Sequence, residues 1–580
     1  MAHNLRSADE VGKTITQAEH WEDIDDACTE EEDAIEEKSS TESEETESSD
    51  ELQNGSNNKT YTDTKPSTSK RARVDKGSIL GKNGYRWCLT PPQKNMNKNN
   101  PISIPYLPGP IKEARDVKTP YESWSLLFSD NILNIIIIHT NAQIKSHCND
   151  NEINRNVNAI YKDLDIIELK AFIGLLYISG LQKNNNTSLE DLWSAEYGID
   201  LYRATMPLAR FKFICRCLRF DDISTRTQRQ KQDKFALIRE LWTKFISRCT
   251  QFYIPTPYCT IDEQLLSFQG RCPFKVHNKN IPNKYGIKII MMNDSRTFYM
   301  YTAEPYVGKV NKDNTESLPS YYIRTLSQPI HGTLRNITCD NWFSSVEIFD
   351  KMLQEHSITM VGTLKKNNPE IPLAFKKSGA AQSSKYAFDA TKTLVSYTPK
   401  ENKIVLLLST FHNTPTTDNT TGKSDIITFY NLTKGATDTF KQMCHEYTTV
   451  RRTRRWPMRV FFSMLDQCII NAMVLYNFNT THESMRKRDF IKSCIRDLTR
   501  PHLERRRLIP TLRRSVYISI QGILGLTDDP RPEIPSGKLA RCRFCPRSLD
   551  RKTRIICATC NVPVCENHRI IQCSGCRLES

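Results

Sequence analysis

The chain lacks the signatures of several large enzyme classes. It has no glycine-rich phosphate loop, no His-Glu-x-x-His pair and no serine nucleophile elbow, which removes the common routes to nucleotide hydrolysis, zinc peptidase chemistry and serine-based acyl transfer. No apolar run reaches the ~18 residues of a membrane span, and Ile135–Ile138 is far too short. The N-terminus is acidic and has no apolar stretch of the kind a secretory leader needs. No internal repeat is present. The expectation is a nuclear or cytoplasmic protein with no membrane partner.

Basic charge is scarce only at the start. Met1–Glu51 holds nineteen acidic and three basic side chains; with a net charge of +15 over 580 residues, the remainder carries +31. Such an excess on a folded body favours a polyanion, and nucleic acid is the commonest one inside cells. At 38% hydrophobic and 9% aromatic the composition is that of an ordinary globular protein, and the length exceeds the ~250–300 residues of a single core.

Residues 1–105 read as disordered: an acidic–serine tract, then a polar stretch with few large apolar residues. Within it, Lys70-Arg71-Ala72-Arg73 is a candidate nuclear import patch. From about Tyr121 to Tyr253 apolar residues recur at helical spacing, as in Ile166–Gly180 and Leu201–Phe220. After Thr260 the texture turns to strands: Ile287–Met292, Thr297–Tyr301, Asn336–Cys339 and Ser357–Leu364, with a helix over Val346–Gln354. Lys385–Tyr397 and Ile404–Ser409 form a second strand group, followed by a polar loop at Asn413–Lys423 and the apolar stretch Ile426–Tyr430. Helical periodicity returns at Thr433 and continues through Trp456–Phe478. Met485–Ser515 is then dense in arginine, including Arg505 and Arg506, which suits a face that tracks phosphates.

Cysteine is sparse until the end: twelve residues up to position 541, then seven between Cys542 and Cys576. In a reducing compartment such a cluster points to metal. The pairs are Cys542/Cys545, Cys557/Cys560, Cys565/His568 and Cys573/Cys576, each with two residues between ligands. Eight ligands suffice for two tetrahedral zinc ions. The short spacers between later pairs favour interleaving: Cys542, Cys545, Cys565 and His568 on one ion, Cys557, Cys560, Cys573 and Cys576 on the other. Cross-brace fingers also serve as ubiquitin-ligase and histone-tail modules. Here the surrounding Arg541, Arg543, Arg547, Arg551, Lys552, Arg554 and Arg569 favour an acidic partner such as DNA.

Three carboxylates stand near predicted strand or helix ends: Asp262 just before the sheet, Asp340 after Asn336–Cys339, and Asp438 on the helix from Thr433. Carboxylates from separate segments can converge on divalent ions for phosphodiester chemistry, although spacing alone does not single these out. The words around them do. Thr260–Phe274 (TIDEQLLSFQGRCPF), Asn283–Ser295 (NKYGIKIIMMNDS), Arg335–Phe343 (RNITCDNWF), Asn431–Gln442 (NLTKGATDTFKQ) and Arg455–Met458 (RWPM) closely resemble the piggyBac transposase family, and the likeness spans about Tyr121 to Cys576.

The resemblance implies an α/β fold: an RNase H-like catalytic core split by a β-rich insertion, flanked by helical dimerisation and DNA-binding segments, plus the cross-brace finger. The implied divisions are helical at 118–256, catalytic at 257–366, insertion at 367–427, catalytic again at 428–450, helical again at 451–525, a linker at 526–540 and the finger at 541–577. It implies a homodimer in the nucleus that nicks transposon ends, forms a hairpin and inserts at TTAA. Asp262, Asp340 and Asp438 would be the catalytic triad and hold two magnesium ions, with Trp342 near the DNA. On charge, Arg451, Arg452, Arg454, Arg455, Arg505, Arg506 and Arg543 are the candidate DNA contacts. One departure stands out. Where the family motif reads Asp-Thr-Leu-Asp-Gln, this chain has Asp438-Thr439-Phe440-Lys441-Gln442, and Gly435-Ala436-Thr437 replaces Gly-Gly-Val. Lys441 lies three residues from Asp438 on one helix face, within reach of the carboxylates. It leaves two readings open: an active transposase, or a domesticated DNA- or chromatin-binding protein that has lost catalysis.

Overall fold

The computed structural model describes residues 5–17, 77–92, 107–153, 159–277, 285–308, 316–510, 512–526, 539–557 and 562–569. One mixed sheet organises the body. Tyr258–Ser267 pairs antiparallel with Tyr285–Asp294, which pairs antiparallel with Met300–Pro305. On its other side Tyr258–Ser267 pairs parallel with Asn336–Cys339, and that strand pairs parallel with Thr359–Thr363. A parallel pair needs a crossover, and helix Val346–His356 supplies it. Three antiparallel strands continued by two parallel ones make the RNase H-like core.

The β-rich insertion is an extension of that sheet. Val405–Ser409 pairs antiparallel with Thr359–Thr363, followed outward by Thr393–Thr398 and Ser383–Phe388. The hairpin Ser78–Leu80/Arg86–Cys88 closes this edge through a Phe388–Cys88 bridge. The expected disorder of 1–105 therefore fails at two places. Trp87 is fully buried and donates its indole N–H to the Glu370 carbonyl at 2.8 Å. Residues 5–17 also dock: helix Ala8–Gln17 buries Val11, and Arg6 donates to the carbonyls of Asn477 (3.0 Å), Asn479 (2.6 Å) and His482 (2.7 Å). A few apolar anchors suffice where the folded body offers a sheet edge or unsatisfied carbonyls. The acidic tract and the basic patch at 70–73 lie outside the described residues.

Helices from both flanks pack together. Ile166–Leu181, capped by Asp165, is buried at nearly every position and lies on Lys487–Arg507. Gly174 permits the approach, since a Cβ there would sit 2.6 Å from the Thr499 methyl. Trp456–Phe478 is long and apolar enough to cross a membrane by length and composition, yet 94% of its most apolar window is buried within the fold. Two of its buried polar residues find partners in the sheet. Asn471 accepts from the Met300 N–H (2.9 Å) and donates to the Met300 carbonyl (2.8 Å), while Gln467 donates to Gln264 (3.0 Å).

Four local expectations change. Leu201–Phe220 is broken by Pro207 into Asp200–Thr205 and Leu208–Cys217, because proline forces Met206 into extended backbone. The strand expected at Thr297–Tyr301 begins at Met300, because Asp294 ties residues 294–297 into a turn by accepting from the Arg296 N–H (2.8 Å) and the Thr297 N–H (3.3 Å). Ile426–Tyr430 belongs to helix Asp425–Lys434, whose start is capped by Ser424. Asp262 lies inside a ten-residue strand, not ahead of the sheet.

Candidate active site and metal centre

Register brings the first two aspartates together. Ile261 pairs with Cys339, so Asp262 and Asp340 stand side by side one step further along neighbouring parallel strands. The third comes from helix Ala436–Glu446, where Asp438 sits in the first turn and its negative charge complements the helix dipole. Threonines lock the three segments. The Thr260 hydroxyl, two residues before Asp262, donates to the Thr433 carbonyl at 2.6 Å. The Thr338 hydroxyl, two residues before Asp340, meets the Thr433 hydroxyl at 2.7 Å. Thr437 then bonds Asn293 at 3.0 Å.

Lys441 occupies the space between the first and third carboxylates. Its ammonium lies 2.5 Å from Asp438 Oδ1 and 3.9 Å from Asp262 Oδ2, and it donates to the Glu263 carbonyl at 3.0 Å. Burial opposes the lysine's charge, but Asp262 and Asp438 outweigh it and its pKa is raised. Burial holds Asp262 well above the usual carboxylate range despite Lys441, with Glu263, Asp340 and Asp438 adding to the rise. Asp340 is pushed up to about 6, chiefly by burial and then by Glu263, against hydrogen bonds from the Trp342 and Phe343 N–H groups.

Trp342 stands directly beside this site. Its N–H donates to Asp340 Oδ1 at 2.9 Å. The Lys288 ammonium lies 5.1 Å from its ring centroid and pairs with Glu263 at 3.1 Å. Sequence reading overlooked Glu263 and Lys288, although both fall in the recognised stretches.

The seven arginines proposed as DNA contacts divide sharply. Arg451 is spent on the Ser179 hydroxyl (2.9 Å) and the Asn184 (3.1 Å) and Thr187 (2.7 Å) carbonyls. Arg455 binds the carbonyls of Cys215 (3.1 Å), Arg216 (3.4 Å) and Leu218 at the end of helix Leu208–Cys217. Arg506 caps Asp200–Thr205 through the Arg203 (2.8 Å) and Ala204 (2.7 Å) carbonyls. Helix C-termini leave carbonyls without partners, and a guanidinium carries five donors to meet them. Burial lowers Arg455 and Arg506 to about 10. Arg505 pairs with Asp165 at 2.6 Å. Arg452, Arg454 and Arg543 are exposed. Exposed Arg271 joins the first two, because it bridges to Arg455.

Among the described residues, one group of three or more His, Cys, Asp or Glu side chains brings all its ligand atoms within 4.8 Å of one another: Cys542, Cys545, Cys565 and His568. Cys565 Sγ lies 3.3 Å from His568 Nδ1 and 3.6 Å from Cys545 Sγ, and the Nδ1 is 3.7 Å from Cys542 Sγ. A tetrahedron with zinc–ligand bonds of ~2.0–2.3 Å has edges of about 3.3–3.8 Å. The donor set thus fits zinc in chemistry and in size. Of the second set, Cys557 is described, while Cys560, Cys573 and Cys576 lie outside the described residues. Arg541 pairs with Asp550, and Arg543, Arg551, Lys552, Arg554 and Arg569 are exposed around the centre.

This geometry agrees with comparison to known proteins. The family model Transposase IS4 matches residues 119–473, well over half of the chain. A solved piggyBac transposase, determined as a synaptic complex with hairpin DNA, aligns at a TM-score of 0.71 with 36% identity, covering 81% of this chain and 100% of that one. The chain belongs to the piggyBac transposase family. The human piggyBac transposable element-derived protein 3 is 24% identical over 267 residues, or 44% of this chain and 42% of that protein. The human chimeric ERCC6-PGBD3 protein matches at 24% over 44% of this chain and 23% of its own length. The chain thus spans less than half of these human relatives. Membership of this family implies use of a divalent metal.

Proposed function

We propose that this chain binds transposon-end DNA, cleaves it with a divalent metal and joins it to TTAA target sites, acting as a homodimer in the nucleus. The observation that carries the reading is the alignment of Asp262 with Asp340, the residue that follows the adjacent parallel strand, tied through Thr433 to the segment leading to Asp438. Hard oxygen donors brought side by side from neighbouring segments suit magnesium. Asp262, Asp340 and Asp438 would hold it, where it supplies Lewis acidity for phosphodiester chemistry; the family resemblance implies two such ions. Exposed Arg452, Arg454 and Arg543 would neutralise phosphates, with Trp342 beside the scissile region. The relative solved with hairpin DNA supports the choice of partner. The C-terminal centre, with a second zinc on Cys557, Cys560, Cys573 and Cys576, would present its basic rim to the end DNA.

The ion pair between Lys441 and Asp438 favours a second reading, in which the chain binds DNA without cutting it. Excision of a TTAA-flanked donor in the presence of magnesium separates the two. Excision by the unaltered chain that vanishes in Asp340→Ala supports the enzyme; excision only by Lys441→Asp supports the binding protein. Normal excision by Asp340→Ala would remove the triad from the account.

A further inference from the structure

We infer that Lys441 stands where a second divalent ion would otherwise bind, so that the site takes one ion, on Asp262 and Asp340, and uses the lysine ammonium as its other cation. This rests on the metal reading of the preceding section and sharpens it.

The ammonium is held from three directions: Asp438 at 2.5 Å, Asp262 at 3.9 Å and the Glu263 carbonyl at 3.0 Å. A surface lysine that merely swings through solvent has no main-chain acceptor fixing it beside the first carboxylate. Charge balance gives the same answer. Glu263 is matched by Lys288, so once a bound cation draws the protons off the aspartates, three carboxylates and one ammonium leave the site at −2, the complement of one divalent ion. Lysine is a compact point charge with three donors, suited to a non-bridging phosphate oxygen.

The test counts bound Mn2+ in the zinc-loaded full-length chain by electron paramagnetic resonance. The unaltered chain should bind one Mn2+ at the carboxylates. Lys441→Asp should bind two, with a spin-coupled pair in the spectrum. Lys441→Gln, the milder change should the aspartate variant fail to fold, should bind Mn2+ about tenfold more tightly because a neighbouring positive charge is gone. Two ions in the unaltered chain would overturn the inference, as would equal number and affinity in all three proteins. Asp340→Ala separates the two levels of the argument. If it binds Mn2+ as the unaltered chain does, the metal reading itself fails; if it loses the ion while Lys441 variants change nothing, only the one-ion inference fails.

Discussion

The hydroxyl of Thr260 donates to the main-chain carbonyl of Thr433 at 2.6 Å, fixing the strand that carries Asp262 to the helical segment that leads to Asp438. The carbonyl belongs to the last turn of Asp425–Lys434, where it also accepts from the Gly435 N–H at the helix end. Thr260→Val keeps the shape and removes the donor. It should cost about 0.5–1.5 kcal/mol in urea unfolding, the net worth of one hydrogen bond, since the Thr433 carbonyl keeps the Gly435 N–H. Excision should fall further than the loss of folded protein explains. Full activity in a destabilised Thr260→Val would show that the tether serves stability alone.

The division among the arginines predicts two phenotypes. Arg455→Ala removes a buried guanidinium from three carbonyls and should lower the melting temperature whether or not DNA is present. Arg452→Ala and Arg454→Ala should leave melting unchanged. Each should weaken DNA binding across sequences and reduce the slope of log affinity against log salt by about one. Salt slopes that ignore Arg452 and Arg454 would move the DNA surface elsewhere.

What was readable in the sequence follows from the same physics. Ile166–Leu181 and Asn336–Cys339 emerge close to their expected bounds because both are apolar and sharply punctuated, the helix by Asp165 and the strand by Asp340. The strand through Asp262 was hidden because Asp262, Glu263 and Gln264 break apolar alternation. Each is tolerated through a distant partner, respectively Lys441, Lys288 and Gln467, that no local pattern reveals. The apolar stretch Ile426–Tyr430 is already helical, ahead of the start expected at Thr433, because the Ser424 cap and burial of Ile426 and Ile427 outweigh β-branched propensity. Arginine count likewise says nothing about which guanidiniums are consumed by carbonyls inside the fold. The grouping of Cys542, Cys545, Cys565 and His568 was legible because the two-residue spacing within each pair is local.

Asp466 gives a pH prediction away from the active site. It is buried on Trp456–Phe478, and burial pushes its pKa up to about 6 although Thr448 and Thr449 donate to it. A carboxyl raised in the folded state stabilises below its unfolded pKa of ~3.9, and that stability is lost as pH rises through the folded value. The unaltered chain should therefore lose up to about 3 kcal/mol between pH 4 and 7 from this group. Asp466→Asn, which stays neutral, should abolish that component. Parallel pH–stability curves for the two proteins would show that Asp466 remains ionised throughout.

The Cys/His centre should be separable from the body. Its four ligands come from two short segments, Cys542–Cys545 and Cys565–His568, with few large apolar residues between them. Such a module gains most of its folding free energy from metal. Cys565→Ser should reduce zinc content from two ions per chain to one and weaken binding to end DNA. The main melting transition, set by the sheet and the Trp456–Phe478 helix, should not move. Cobalt substitution gives an independent check, because tetrahedral cobalt bound by three thiolates and an imidazole has intense visible absorption that Cys565→Ser should diminish. If the variant retains both zinc ions, Cys565 is not a ligand and the interleaved assignment fails; if zinc is lost but DNA affinity persists, the finger has another partner.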